Sequence, residues 1–456
     1  MRISFQGHLS ASDAKRYIDH AFEVPAGASR LSLHFSYEPA RVEGVENLLC
    51  LSLFDPSGFR GAGHRSGVAQ HVDIDVRRAT PGYLPGALPP GRWLVEIDTH
   101  MIMPGEPCHY RLDISTGQAG PEPAGASPSP PALRAVGGRG PGWYRGDLHT
   151  HTAHSDGYWD VAGLLAAARA YRLDFVTLTD HNTVSGLDEM ARAASADLLT
   201  MGGMELTTYW GHALSLGLPR WIDWRTQPGG RSMPEVVGEV EQAGGTFVIA
   251  HPGSVGDPAC TGCAWRYPDM MPGPARVVEV WNGPWDNDQS GNEDSLALWY
   301  DWLNQGYRMI ATAGTDAHSF EPALEVGFSV VYAEALSQAA ILEAIRRGHL
   351  YLSAGPKITF VARPEEGSRA LIPMGDALPA GAAAEIVVGW EGCPSGAWLR
   401  LVANGQPLAE WEAEGDGSRT WPIALRHARW CLVEVRDAGG RMIALTNPIF
   451  WGEPNR

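Results

Sequence analysis

The chain has 456 residues, of which 44% are hydrophobic, and a formal net charge of −17. That length allows two or three domains with sizeable cores. The acidity argues against a nucleic-acid backbone or an anionic membrane surface as the main partner, because both reward a basic face. The N-terminus has no apolar run of signal-peptide length, and no stretch reaches the roughly 18–20 apolar residues of a membrane span. The expected location is therefore cytoplasmic.

In chain order, residues 1–116 read as an N-terminal β-sandwich. Runs such as "SRLSLHFSYEP", "HVDIDV" and "GRWLVEIDTH" are short, several alternate, and turn-rich clusters bound them. Residues 117–142 are rich in Pro, Gly and Ala and read as a linker. From residue 143 to 356, strand-like runs alternate with helical ones: "YRGDLHTH" with "VAGLLAAARAY", "LDFVTLTDH" with "GLDEMARAAS", "MPEVVGEVEQAG" with "GTFVIAHP". About seven such units predict a largely parallel sheet, in the manner of a barrel. The segment 253–276 interrupts the rhythm as a loop over the expected mouth. It holds Cys260 and Cys263, a CxxC with no second ligand pair nearby, read as two loop cysteines. From 357 to 456 the pattern returns to strands and predicts a C-terminal β-sandwich.

The chemistry lies at the C-terminal ends of the predicted barrel strands. "GDLHTHTAHSDG" carries Asp147, His149, His151, His154 and Asp156; "LTDH" carries Asp180 and His181; "GGMEL" Glu205; "GHAL" His212; "IAHP" His251; and "GTDAH" Asp316 and His318. Side chains at these ends converge on one mouth of a barrel. Residues i and i+2 of an extended strand share a face, so His149 with His151, and Asp316 with His318, can reach one ion. Histidines mixed with carboxylates suit Zn, Mn or Fe better than Mg or Ca.

These motifs, in this order, resemble those of the PHP (polymerase and histidinol phosphatase) superfamily over about residues 143–356. The form "LHTHTAHSDG", the flanking β regions and the ending "ALTNPIFW" are similar to its carbaryl-hydrolase-like branch. The resemblance implies a distorted (β/α)7 barrel flanked by the two β-sandwiches, with two or three divalent transition-metal ions. It implies His149, His151 and Asp316 on a first ion, with Glu205 bridging to a second completed by His212 and His251. Asp156, His181 and His318 would hold a third. Asp147 and Asp180 are expected to orient neighbouring ligands. His154 is expected to face substrate, as an acid for the leaving group or in a supporting role. Arg266, in "CAWRYPDMM", is the expected grip for phosphate, with Arg145 behind it.

The expected reaction is hydrolysis by a hydroxide held between two ions. Its substrate is a small molecule, foremost a phosphate mono- or diester. A carbamate, ester or amide hydrolase on the same centre is the alternative, and a non-catalytic binding protein with a metal-stabilised barrel is a third reading. The oligomeric state stays open at this stage.

Overall fold

The structure, a computed structural model, describes residues 1–118, 139–195, 197–319, 326–365, 370–423 and 428–452. Most of the predicted linker lies outside them. In the N-terminal region, Arg2–Leu9, Cys108–Gly117, Arg30–Glu38 and Ala69–Asp75 form one antiparallel sheet, and Tyr17–Val24, Gly91–Met101, Leu48–Asp55 and Gly58–Gly63 form a second. Alternation along Arg30–Glu38 buries Leu31, Leu33, Phe35 and Tyr37 on one face. That face shares a core with Leu49, Leu51, Leu53, Val95 and Ile97 of the second sheet.

The central region contributes β1 (Gly142–Asp147), α1 (Val161–Ala170), β2 (Phe175–Leu178), α2 (Leu187–Arg192), β3 (Leu199–Thr207), β4 (His212–Leu216), α3 (Met233–Gln242), β5 (Thr246–Ile249), β6 (Val277–Asn282), α4 (Asn292–Asn304), β7 (Ile310–Gly314), β8 (Phe328–Ala333), α5 (Gln338–Arg347) and β9 (Leu350–Ser353). Every residue of β2, β5, β6 and β7 is buried, as expected for strands covered on both faces. The helices carry the covering stripes. In α3, Met233, Val236, Val237 and Val240 are buried, and a capping box between Ser232 and Glu235 sets its start.

The strand order is β7-β6-β5-β4-β3-β2-β1-β8-β9. The pairs β1–β2, β2–β3, β5–β6 and β6–β7 are parallel, whereas β3–β4 and β4–β5 are antiparallel. Strand pairing does not close this sheet into the expected distorted (β/α)7 barrel. On its free side β1 pairs antiparallel with β8, and the residues just beyond β1 and β7 join through a bridge between Thr150 and Ala317. Hydrophobic periodicity predicts strands and their burial but carries no information about closure.

In the C-terminal region, Lys357–Pro364, Ile372–Pro373, Ala384–Cys393 and Gly415–Ile423 form a separate sheet. Trp398–Ala403, Gln406–Glu412, Trp430–Arg436 and Met442–Thr446 instead extend the central sheet, because β9 pairs Tyr351 with Thr446 and Ser353 with Ala444. One sheet therefore spans both sides of residue 356. Trp224, Trp265, Trp281 and Trp285 are buried, and Trp221 stacks on Phe59 of the N-terminal region. No helix among the described residues is long and apolar enough to cross a membrane.

Candidate metal centre

The predicted ligands meet where the ends of β1, β2, β3, β5 and β7 come together with the start of β4. His149 and His151 follow β1, and Asp147 behind them fixes the joint. Its carboxylate accepts from the amides of His149 (3.2 Å) and Thr315 (3.0 Å) and from the Thr315 hydroxyl (2.6 Å), tying the end of β1 to that of β7. Asp180 does the same for the loop after His151, accepting from Thr152 N (2.7 Å), Thr152 Oγ1 (2.8 Å) and Ser155 Oγ (2.8 Å). His251 and Asp316 have φ of 27° and 53°, and Asn182, next to His181, has 58°. Non-glycine residues in this left-handed region are costly and concentrate at functional sites.

Four donor atoms converge first. His149 Nε2 lies 3.3 Å from Glu205 Oε2 and 3.3 Å from Asp316 Oδ1. His151 Nε2 lies 3.3 Å and 2.8 Å from the same two oxygens. All four atoms are buried and none has a hydrogen-bond partner. Buried polar atoms are normally paired. Here the spacing is close to the edge of a tetrahedron with metal–ligand bonds of about 2.0–2.2 Å. The donor set therefore fits a cation.

Glu205 reaches the second group as well. Its Oε1 lies 3.1 Å from His212 Nδ1 and 3.2 Å from His251 Nε2, while Oε2 lies 2.8 Å from His181 Nδ1. The other ring nitrogens of His212 and His251 face backbone carbonyls, those of Thr261 (3.2 Å) and Cys263 (3.3 Å). Those carbonyls take an N–H each, which turns the lone pair of each imidazole toward Glu205. The loop that interrupts the barrel rhythm thus orients two ligands, and its Cys260 and Cys263 are joined as a disulfide. A third group gathers His151, Asp156, His181 and His318. Asp156 lies 3.2 Å from His318 Nε2 and 3.6 Å from His181 Nε2.

Electrostatics follow from this packing. Burial pushes the Glu205 carboxyl up, but His181, His149 and His212 outweigh it and hold it well below the ordinary carboxylate range. Asp316 is likewise held down against burial by His149, His151 and His318. Burial, with His181 and His318 close by, lowers His151 to about 4, which leaves it neutral, the form that ligates. On His318 burial is outweighed by Asp156 and Asp316, which raise it to about 10. Ionised carboxylates among imidazoles, with Glu205, His149 and His151 fully buried, make a site that attracts positive charge.

The two residues singled out for catalysis stand elsewhere. His154 Nδ1 is 2.7 Å from Ser185 Oγ and Nε2 is 3.4 Å from Glu189 Oε2, so both ring nitrogens are occupied beside α2. Arg266 is exposed and lines a surface cleft with Gly229, Met233 and Asp269, none of them a predicted ligand. Arg145 donates to Tyr171 O (3.0 Å) and lies over the Phe328 ring.

The structure adds residues that the sequence reading missed. Glu279, buried in β6, sits 3.1 Å from His149 Nδ1 and accepts from Asn282 Nδ2 (3.1 Å). It fixes the tautomer that points His149 Nε2 inward. A carboxylate in the apolar run "VVEVWN" needs a buried partner, and that was the available signal. Gly314, at the end of β7, leaves the space these two occupy: a Cβ there would meet Glu279 Oε1 and His149 Cβ at 2.5 Å. From the N-terminal region, the His64 ring stands 4.7 Å from that of His181, and His100 stands 4.7 Å from His64.

No protein-family model matches the chain. The 5'-3' exoribonuclease of Haemophilus influenzae is 36% identical over 67 residues, which are 14% of this chain and 24% of that protein. The chain thus covers about a quarter of that relative's length. A solved two-domain protein from Bacteroides vulgatus, described as containing a predicted PHP-like metal-dependent phosphoesterase, is 16% identical with a TM-score of 0.37, over 71% of this chain and 100% of that one. An amidohydrolase from Chromobacterium violaceum, solved with bound sulfate and no metal, is 19% identical with a TM-score of 0.29, over 40% of this chain and 89% of that one.

Proposed function

We propose that this protein is a PHP-type metal-dependent hydrolase that takes two or three divalent ions (Zn, Mn or Fe) and cleaves phosphate esters of small molecules. The observation that carries this reading is the convergence of four buried, unpartnered donor atoms from His149, His151, Glu205 and Asp316. Those residues would hold one ion. Glu205 with His212 and His251 would hold a second, and Asp156, His181 and His318 a third. Bound ions supply a water that ionises near neutral pH and positive charge for the substrate's oxygens.

The chain's own part is orientation and exclusion of water. Glu279 and the carbonyls of Thr261 and Cys263 fix three imidazoles, and Asp147 and Asp180 fix the loops that carry ligands. His64 and His100 wall the centre on the N-terminal side. A phosphate ester is favoured because the curated relative is named as an exoribonuclease, whose reaction breaks a phosphodiester. The net charge of −17 favours a small substrate over a long polyanion.

One observation favours a carbamate, ester or amide bond instead. Arg65, the guanidinium beside the ligand loop, is already engaged by the carbonyls of Pro81 and Ala153. The experiment measures metal content first. It then compares phosphomonoester, phosphodiester, carbamate and aryl-ester chromogenic substrates with and without chelator. Phosphate-ester turnover that chelator abolishes and added metal restores is the expected result. Turnover of carbamate or aryl ester alone moves the bond to the second reading. Protein that binds metal and substrate without turnover is a binding protein. Protein that carries no transition metal and gains nothing on reloading refutes the centre.

A further inference from the structure

A second cluster of donors lies outside the Glu205 array, wholly within the N-terminal region. Cys50 is on the strand Leu48–Asp55, His64 follows the strand Gly58–Gly63, and His100 is on Gly91–Met101. The sheet itself brings them together. Leu51 pairs with Gly63, so the next antiparallel step sets His64 beside Cys50. Leu48 pairs with Met101 and Leu49 with Thr99, so His100 is the extra residue of a bulge. Bulges re-aim a side chain and recur beside functional sites.

One donor atom from each residue lies within 4.8 Å of the other two. Cys50 Sγ is 3.6 Å from His64 Nδ1. Zn–S near 2.3 Å and Zn–N near 2.0–2.1 Å at a tetrahedral angle give a sulfur-to-nitrogen edge of about 3.6 Å. Cys50 and His100 are each 1% exposed, and His100 Nδ1 is buried with no hydrogen-bond partner. A thiol–imidazole hydrogen bond accounts for Cys50 and His64 but gives His100 no part, whereas a cation among the three engages all of them.

We propose that Cys50, His64 and His100 form a metal site of their own that takes one soft divalent ion, with zinc the best match to a thiolate and two imidazoles. The Cys50 S–H bond breaks, a sulfur–metal bond forms and the proton leaves to solvent, one proton per ion. Three protein donors leave a fourth position for water or a substrate atom, the pattern of catalytic rather than structural zinc. The site adjoins the Glu205 array through the His64–His181 contact.

The test uses the full chain loaded with cobalt(II). Every donor of the Glu205 array is nitrogen or oxygen, so a thiolate-to-cobalt charge-transfer band in the near ultraviolet reports on the cysteine site alone. The band is expected in the parent protein and in a Cys260→Ala/Cys263→Ala variant. It should survive in a His149→Ala/His151→Ala variant, which separates this proposal from the hydrolase reading. Cys50→Ser should abolish the band and lower the metal content by one equivalent per chain. His64→Gln, at a less buried position, should do the same and guards against misfolding of the Cys50 variant. A parent protein without the band, or a Cys50→Ser protein that keeps both band and stoichiometry, overturns the proposal.

Discussion

The two β regions that flank the central sheet look alike in sequence and meet it in opposite ways. The C-terminal region joins through apolar packing: Val402, Trp430, Leu432, Met442, Leu445 and Phe450 belong to the same buried cluster as the central strands. The N-terminal region adds only Ala62 to that cluster among the described residues, with Phe59 packed against it and Phe54 and Tyr17 against Trp221 and Tyr209, and it makes polar contacts as well. Thr183 Oγ1 donates to Gly82 O (2.6 Å), Gly82 N to Ser185 Oγ (2.9 Å), Tyr209 OH to Arg16 O (2.8 Å) and Arg225 to Glu96 (3.1 Å). One flank serves as core, and the other as wall to the ligand array. Strand periodicity describes both equally well. What separates them is the buried polar set Ser52, Glu96, Asp98, Thr99 and His100 on the N-terminal strands.

Four variants press on that contrast. His149→Ala with His151→Ala should remove at least one ion and drop hydrolysis to the level seen with chelator. Unchanged metal stoichiometry would falsify the first-ion assignment. Leu432→Ala, on the apolar flank, should cost about 2–5 kcal/mol of stability, read by denaturant melts. Metal content per folded chain should hold, and loss of metal there would erase the distinction between the flanks. Glu279→Gln should weaken metal binding by roughly 10–100-fold, since it acts through the orientation of His149. Competition with a chelator measures that, and an unaltered affinity would leave Glu279 without a role.

The smallest effect is a pH dependence. Burial raises the Glu96 carboxyl to about 7, even with Arg225 beside it, from an ordinary 4.5. The folded chain therefore binds more protons than the unfolded one between those values, so this group's contribution to stability declines as pH rises from about 4.5 to about 7. Glu96→Gln should flatten that decline across the window. Melts of chelated protein at several pH values read it, and parallel curves for parent and variant would count against it.

The clustering of these His, Asp and Glu side chains was legible in the sequence because they stand at predicted strand ends, and His149 with His151 at i, i+2 spacing reach one donor group. Asp316 and His318 share that spacing, but with Asp316 at φ 53° they enter two different groups. Glu279 was not, because the run that holds it reads as a core strand and its purpose depends on a histidine in another strand. Cys50, His64 and His100 come together through ladder register and a bulge, neither of which leaves a local signature. For His154 the sequence leaves a substrate-facing and a supporting role open. Its place in a ligand-rich motif suggests that it faces the reactants, but the loop turns its ring to Ser185 and Glu189. Closure of the sheet is a property of the whole ring of strands, and no one segment encodes it.

The convergence of His149, Glu205 and Asp316 also has a meaning for the chain as a polymer. These residues are far apart in sequence, with β2 between the first two and β4 to β7 between the last two. An ion gripping all three would pin two long loops at once. By binding the folded chain and not the unfolded one, it would stabilise the fold by about 4 kcal/mol at a thousandfold excess over its Kd. Removing the ion should then do more than stop chemistry: it reopens those loops, and the protein becomes faster to unravel and easier to digest.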